Sequence, residues 1–190
     1  MNMLGRCSFL VLLFAACGFA TAQMTKSDVP HTPNQILDHA LTNVENEFTA
    51  AADAMPEDKY SFAPTNGDFK GVRTFAQQVK HVAAVNYILA AAILEEKPPV
   101  ETGGENGPDS IKSKADIIKF LKDSFVYQHK AMNSLTGQNL TSAVKSPFGE
   151  GMTSRLGLAT FSIAHPFDHY GQMVEYLRMN GIIPPASRGQ

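Results

Sequence analysis

Residues 162–187 read SIAHPFDHYGQMVEYLRMNGIIPPAS, and the fold of the chain turns on how they are read. Up to Asn180 the apolar residues recur at helical spacing. Gly181 then supplies a stop, and Pro184 and Pro185 prevent a restart. Extended back to about Thr153, this is a long amphipathic helix. On its wheel Leu158, Phe161, His165, His169, Gln172 and Tyr176 fall within roughly 80° of one another. Both histidines therefore lie on the core-facing stripe, one turn apart.

Three more stretches carry the same period. The first opens at Thr32 and Pro33, a cap followed by proline early in the helix, and runs through Leu37, Leu41, Val44, Phe48 and Ala51 to just before Pro56. The second opens at Thr74, with Gln77 in capping-box position, and its stripe is Phe75, Val79, Val82, Val85, Leu89 and Ile93. The third is expected from Ser110 to Gly137, with Ile117, Leu121, Phe125, Gln128, Met132 and Leu135 inward. Between them, PEDKYSFAPTNGDFKG (56–71) and KPPVETGGENGPDS (97–110) are long turn-rich connections, and a loop containing Pro147, Gly149 and Gly151 precedes the last helix. No stretch alternates with period two, so no sheet is expected. The fold class is all-α, a four-helix bundle with long connecting loops.

The chain has 190 residues, 44% of them hydrophobic, and a net charge of -2. That suits one domain, here residues 23–190, and lacks the basic excess that nucleic acid demands. Residues 1–22 have the grammar of a cleaved signal peptide: Arg6, an apolar run from Cys7 to Ala20, and ATA before Gln23. The run is too short to span a bilayer. The expected protein is exported, periplasmic or secreted, with no membrane attachment after cleavage. A lipoprotein anchored through Cys17 ranks second. Both cysteines fall in this leader, so the mature chain would have no disulfide and no thiolate ligand.

Two imidazoles four residues apart on a helix lie about 6 Å from each other, close enough to chelate one ion. A third ligand must come from another helix. His81 shares a stripe with Gln78, Val85 and Leu89; its rival His129 follows Phe125 by one turn. His31 and His39 are weaker candidates. Two metal-site types are excluded: no H-E-x-x-H exists, since Pro166 follows His165, and no Glu-x-x-His occurs. Pro166 removes a helix hydrogen bond to residue 162, and either kinks the helix or starts a new one; Ser162 is a candidate to serve the freed group. Gln172 and Tyr176 follow His169 by one and two turns, placed to orient a ligand, bridge helices or pack in the core. Asp168 points some 60° from His165, toward a neighbouring helix or solvent.

FAQQVKHVAAVNYIL (75–89), with its mid-helix histidine, and the closing H-x-x-x-H followed by GQMVEYLRMNGIIPP (171–185) resemble the DinB-like superfamily, also called DinB/YfiT-like. The likeness spans most of the chain beyond the leader. It implies a four-helix bundle holding one divalent metal ion, zinc or nickel, on His81, His165 and His169, and it favours His81 over His129. It also implies a small-molecule substrate or ligand and allows a homodimer. The catalytic reading is a metal-dependent transferase or hydrolase of unknown substrate. The alternative is a non-catalytic metal- or small-ligand-binding protein of the cell envelope. Pro166 and the leader depart from the family pattern.

Overall fold

Thr32, Thr74, Ser113 and Ser154 each stand one residue before a helix, where a side-chain oxygen can serve backbone N–H groups that have no helical partner. In the computed structural model, which describes residues 31–189, they bound α1 (Pro33–Ala54), α2 (Phe75–Leu94), α3 (Lys114–Asn133) and α4 (Arg155–Met179). The hydroxyls of Thr74, Ser113 and Ser154 accept from the amides of Gln77, Asp116 and Gly157 at 3.2, 3.1 and 3.0 Å. At Thr32 the backbone amide donates to the Gln35 side chain at 3.0 Å. The expected leader, with Cys17 and its cleavage site, lies outside the described residues.

Each helix packs against two others: α2 against α3 and α4, and α1 against α3 and α4. Consecutive helices α1 and α2 are therefore diagonal, as are α3 and α4. The chain must cross the bundle end twice, which accounts for the long connections at residues 55–74 and 134–154. The third, residues 95–113, joins neighbours and has another use, described below.

The predicted stripes of α1, α2 and α3 form the core, whereas on α4 Leu158, His169 and Tyr176 are buried and Phe161 is exposed. Leu41, Val44 and Phe48 meet Phe75, Val79, Val82 and Leu89, with Ile117, Leu121, Phe125 and Met132 closing the other side. Each such side chain contributes roughly 1.5–3 kcal/mol by leaving water. On α2 burial reaches most positions, including Ala83, Ala84 and Ala90, because the helix is covered by α3, α4 and the 104–106 turn.

Three expectations are corrected. A short antiparallel ribbon exists, β1 (Ala143–Lys145) with β2 (Met152–Ser154), pairing Val144 with Thr153. Its strands are too short for alternation to register, and only Val144 is buried. Helix α3 begins at Lys114, not Ser110, because Ser113 provides the cap, and it ends at Asn133, four residues before Gly137. Third, α4 runs through buried Pro166 without a break, so no new helix starts there. Ser162 turns its hydroxyl back to the Leu158 carbonyl at 2.8 Å and so does not serve the group that Pro166 frees. Among the described residues no helix is long and apolar enough to cross a membrane.

Candidate metal centre

The stripe of α4 that carries His165 and His169 faces α2 at the level of His81. The three imidazoles stack edge to face, with ring centroids 4.6 to 5.0 Å apart. One nitrogen from each lies within 4.8 Å of the others. His81 and His169 are buried and His165 half-buried. Burial, followed by the neighbouring imidazoles, pushes the pKa of His165 down to about 3; burial and the His81 charge bring His169 to about 4. His81 is also lowered, chiefly by burial. At neutral pH all three are uncharged, the form in which imidazole donates a lone pair.

Hydrogen bonds decide which lone pairs are free. His81 Nδ1 meets the backbone carbonyl of Glu105, which can only accept, so Nδ1 carries the proton and Nε2 is bare. His169 Nδ1 meets Gln78 Oε1 at 2.7 Å. That amide's orientation is set from far away. The Asp168 carboxylate accepts from Gln172 Nε2 at 3.2 Å, Gln172 Oε1 accepts from Gln78 Nε2 at 2.7 Å, and Gln78 is left with its oxygen toward His169. Every link runs the same way, ending on a negative charge, so His169 Nδ1 donates and its Nε2 is bare as well.

His165 Nε2 lies 3.1 Å from His81 Nε2, while its Nδ1 is buried without a partner. Two such nitrogens facing each other need a proton or a cation between them. Three neutral imidazoles, two of them oriented by hydrogen bonds, and one orphaned ring nitrogen fit a divalent ion.

The Glu105 carbonyl is presented by a single 3-10 turn, Gly104–Asn106. Gly103 and Gly107 flank it at φ 63° and 80°, and a Cβ on Gly107 would stand 2.7 Å from Lys80 Cβ. The connection after α2 is thus laid directly onto that helix. The imidazoles open into a cleft of about 480 Å³ whose other walls include Arg73, Val85, Phe148 and Phe161.

Of the residues singled out in the sequence, His81, His165 and His169 come together. His129 does not: it sits between α1 and α3, bonded to Asp38 at 2.6 Å and Glu45 at 2.9 Å. His31 and His39 are exposed. Gln172 bridges to α2, and the Tyr176 hydroxyl donates to the Arg73 carbonyl at 3.0 Å. Asp168 supports its own helix's His169, through α2 and back. Arg73, Glu105, Phe148 and the role of Gln78 were missed. Gln78 alone carried a signal, being one turn before His81 on the same stripe.

A sequence profile of the DinB superfamily matches residues 40–173. The crystal structure of a DinB-like protein from Bacillus cereus superimposes with a TM-score of 0.66 at 17% identity, covering 80% of this chain and 95% of that one. A DinB-like protein from Bacillus subtilis gives 0.59 at 19% identity, covering 77% and 92%. A conserved protein from Enterococcus faecalis gives 0.62 at 13%, covering 79% and 98%. At these identities the likeness speaks to fold alone. No curated protein matches significantly.

Proposed function

We propose, from the premise that this chain belongs to the DinB superfamily, that it holds one divalent metal ion on His81, His165 and His169 and acts on a small molecule in the adjoining cleft. The observation that carries this is the convergence of three neutral ring nitrogens within 4.8 Å, two of them aimed by hydrogen bonds behind the rings. Zinc and nickel are the candidates, since imidazole suits both. A bound ion supplies Lewis acidity to a ligand in the cleft. The chain's own residues do the rest: Glu105 and Gln78 fix the ring tautomers, and Phe148 and Phe161 cover the approach with apolar surface.

The open cleft favours turnover of a small molecule, by transfer or hydrolysis, over a sealed structural site. Elemental analysis tests the metal: the protein, purified without a histidine tag, is compared with a His165→Ala/His169→Ala variant. About one ion per chain is expected, absent from the variant. No ion in the wild type after incubation with zinc or nickel would reduce the histidines to core residues. On the same reading residues 1–22 direct export, and N-terminal sequencing of the protein recovered from its own cells should start at Gln23. A retained Met1 would overturn that part.

A further inference from the structure

Arg73 is placed as few surface arginines are. Its backbone is pinned at the carbonyl, which accepts from the Tyr176 hydroxyl, and at the next residue, Thr74, which caps α2. The residue is half-buried, and its guanidinium has five N–H donors. Among the described residues no carboxylate pairs with it, and its one hydrogen bond goes to the neutral Asn106 side chain at 3.5 Å. The Arg73 charge reaches all three imidazoles.

Arg73 also lines two cavities. One is the 480 Å³ cleft with the histidines; the other, about 580 Å³, is polar and bordered by Gln77, Lys80 and Asn106. In the same cleft, Phe148 and Phe161 meet edge to face with centroids 6.1 Å apart, and Phe161 lies 5.4 Å from His165. The cleft therefore offers one uncommitted planar cation, an apolar wall and a set of uncharged imidazoles. The positive charge lining the cleft is small, since Arg73 is its one Lys or Arg and Glu105 adds a carboxyl beside His81. Arg73 alone would balance only half of a doubly charged phosphate. A single carboxylate matches the guanidinium fork.

We infer that the cleft binds a small organic carboxylate, its anion held by the Arg73 guanidinium and its apolar body laid against Phe148 and Phe161. This rests on the proposed function for the identity of the reacting end. The recognition itself needs only Arg73 and the wall.

The test is a ligand-observed NMR titration of the intact protein, zinc-loaded and metal-free, with benzoate and hexanoate beside their neutral amides. In both forms each carboxylate should bind at least about tenfold tighter than its amide. In the metal-free protein Arg73→Gln should erase that preference, and Arg73→Lys should keep part of it. Elemental analysis of each preparation runs in parallel and should show unchanged metal content in both variants. In the metal-free protein, equal affinity for acid and amide in the wild type, no saturable binding of either acid, or a preference that survives Arg73→Gln would overturn the inference. The wild-type comparison decides even if a variant fails to fold. If no preparation holds metal, the metal reading falls, and the acid–amide preference in the metal-free protein still judges this one.

Discussion

Gln78 shows how a residue behind a candidate metal ligand can fix that ligand's proton. It is 1% exposed, and its two amide atoms are spent on His169 and Gln172. Gln78→Ala would leave His169 Nδ1–H without its acceptor and cut the chain of dipoles that ends at Asp168. Zinc affinity, read by competition with a chromophoric chelator, should fall about 10–100-fold. The melting temperature of the metal-free variant separates this loss from simple destabilisation. Tyr176→Phe removes one hydrogen bond to the Arg73 carbonyl and should cost about 1 kcal/mol in a urea melt. At this scale the sequence was legible where spacing carries the information. Two histidines one turn apart can be read from a string; a carbonyl supplied by Glu105, from a loop 24 residues beyond His81, cannot. Nothing local marks Arg73 as facing the histidines, since its position depends on how the 55–74 connection crosses the bundle.

Among the elements, α1 and α3 are joined by His129, which the Glu45 hydrogen bond first and the Asp38 carboxylate next raise to a pKa of about 9. The folded value lies above the unfolded one of about 6.5, so its contribution is complete below pH 6.5 and is lost as pH rises through 9. Partial exposure screens the cluster, leaving roughly 1–2 kcal/mol. Urea melts of the wild type and His129→Gln should therefore differ by that amount at pH 6 and converge by pH 10. A gap unchanged at pH 10 would assign the effect to packing. All four helices were legible because each presents an apolar stripe, and α1 and α2 also open on a readable cap. The boundaries of α3 and the β1–β2 ribbon were not, because a three-residue strand is held by its partner and by burial of Val144, neither of which leaves a pattern in sequence.

For the molecule as a whole, the three histidines tie α2 to α4 across one face of the bundle. A ligand held only by the folded state stabilises it, by about 2.7 kcal/mol at a hundred times its dissociation constant. Zinc at that excess should raise the calorimetric melting temperature by roughly 5–10 °C, and the His165→Ala/His169→Ala variant should not respond. The connection of residues 95–113 makes the same tie vulnerable from outside. Loops are where chains ordinarily accept inserted residues, and the turn at Gly149 and Glu150, exposed between β1 and β2, is such a place. The Gly103–Gly107 segment is different. Its Gly107 lies against Lys80, and its Glu105 carbonyl holds the His81 ring. One residue inserted there would shift that carbonyl and free His81 to change tautomer, so in this protein the tolerance of a surface loop to lengthening is bounded by the protonation of a buried ring.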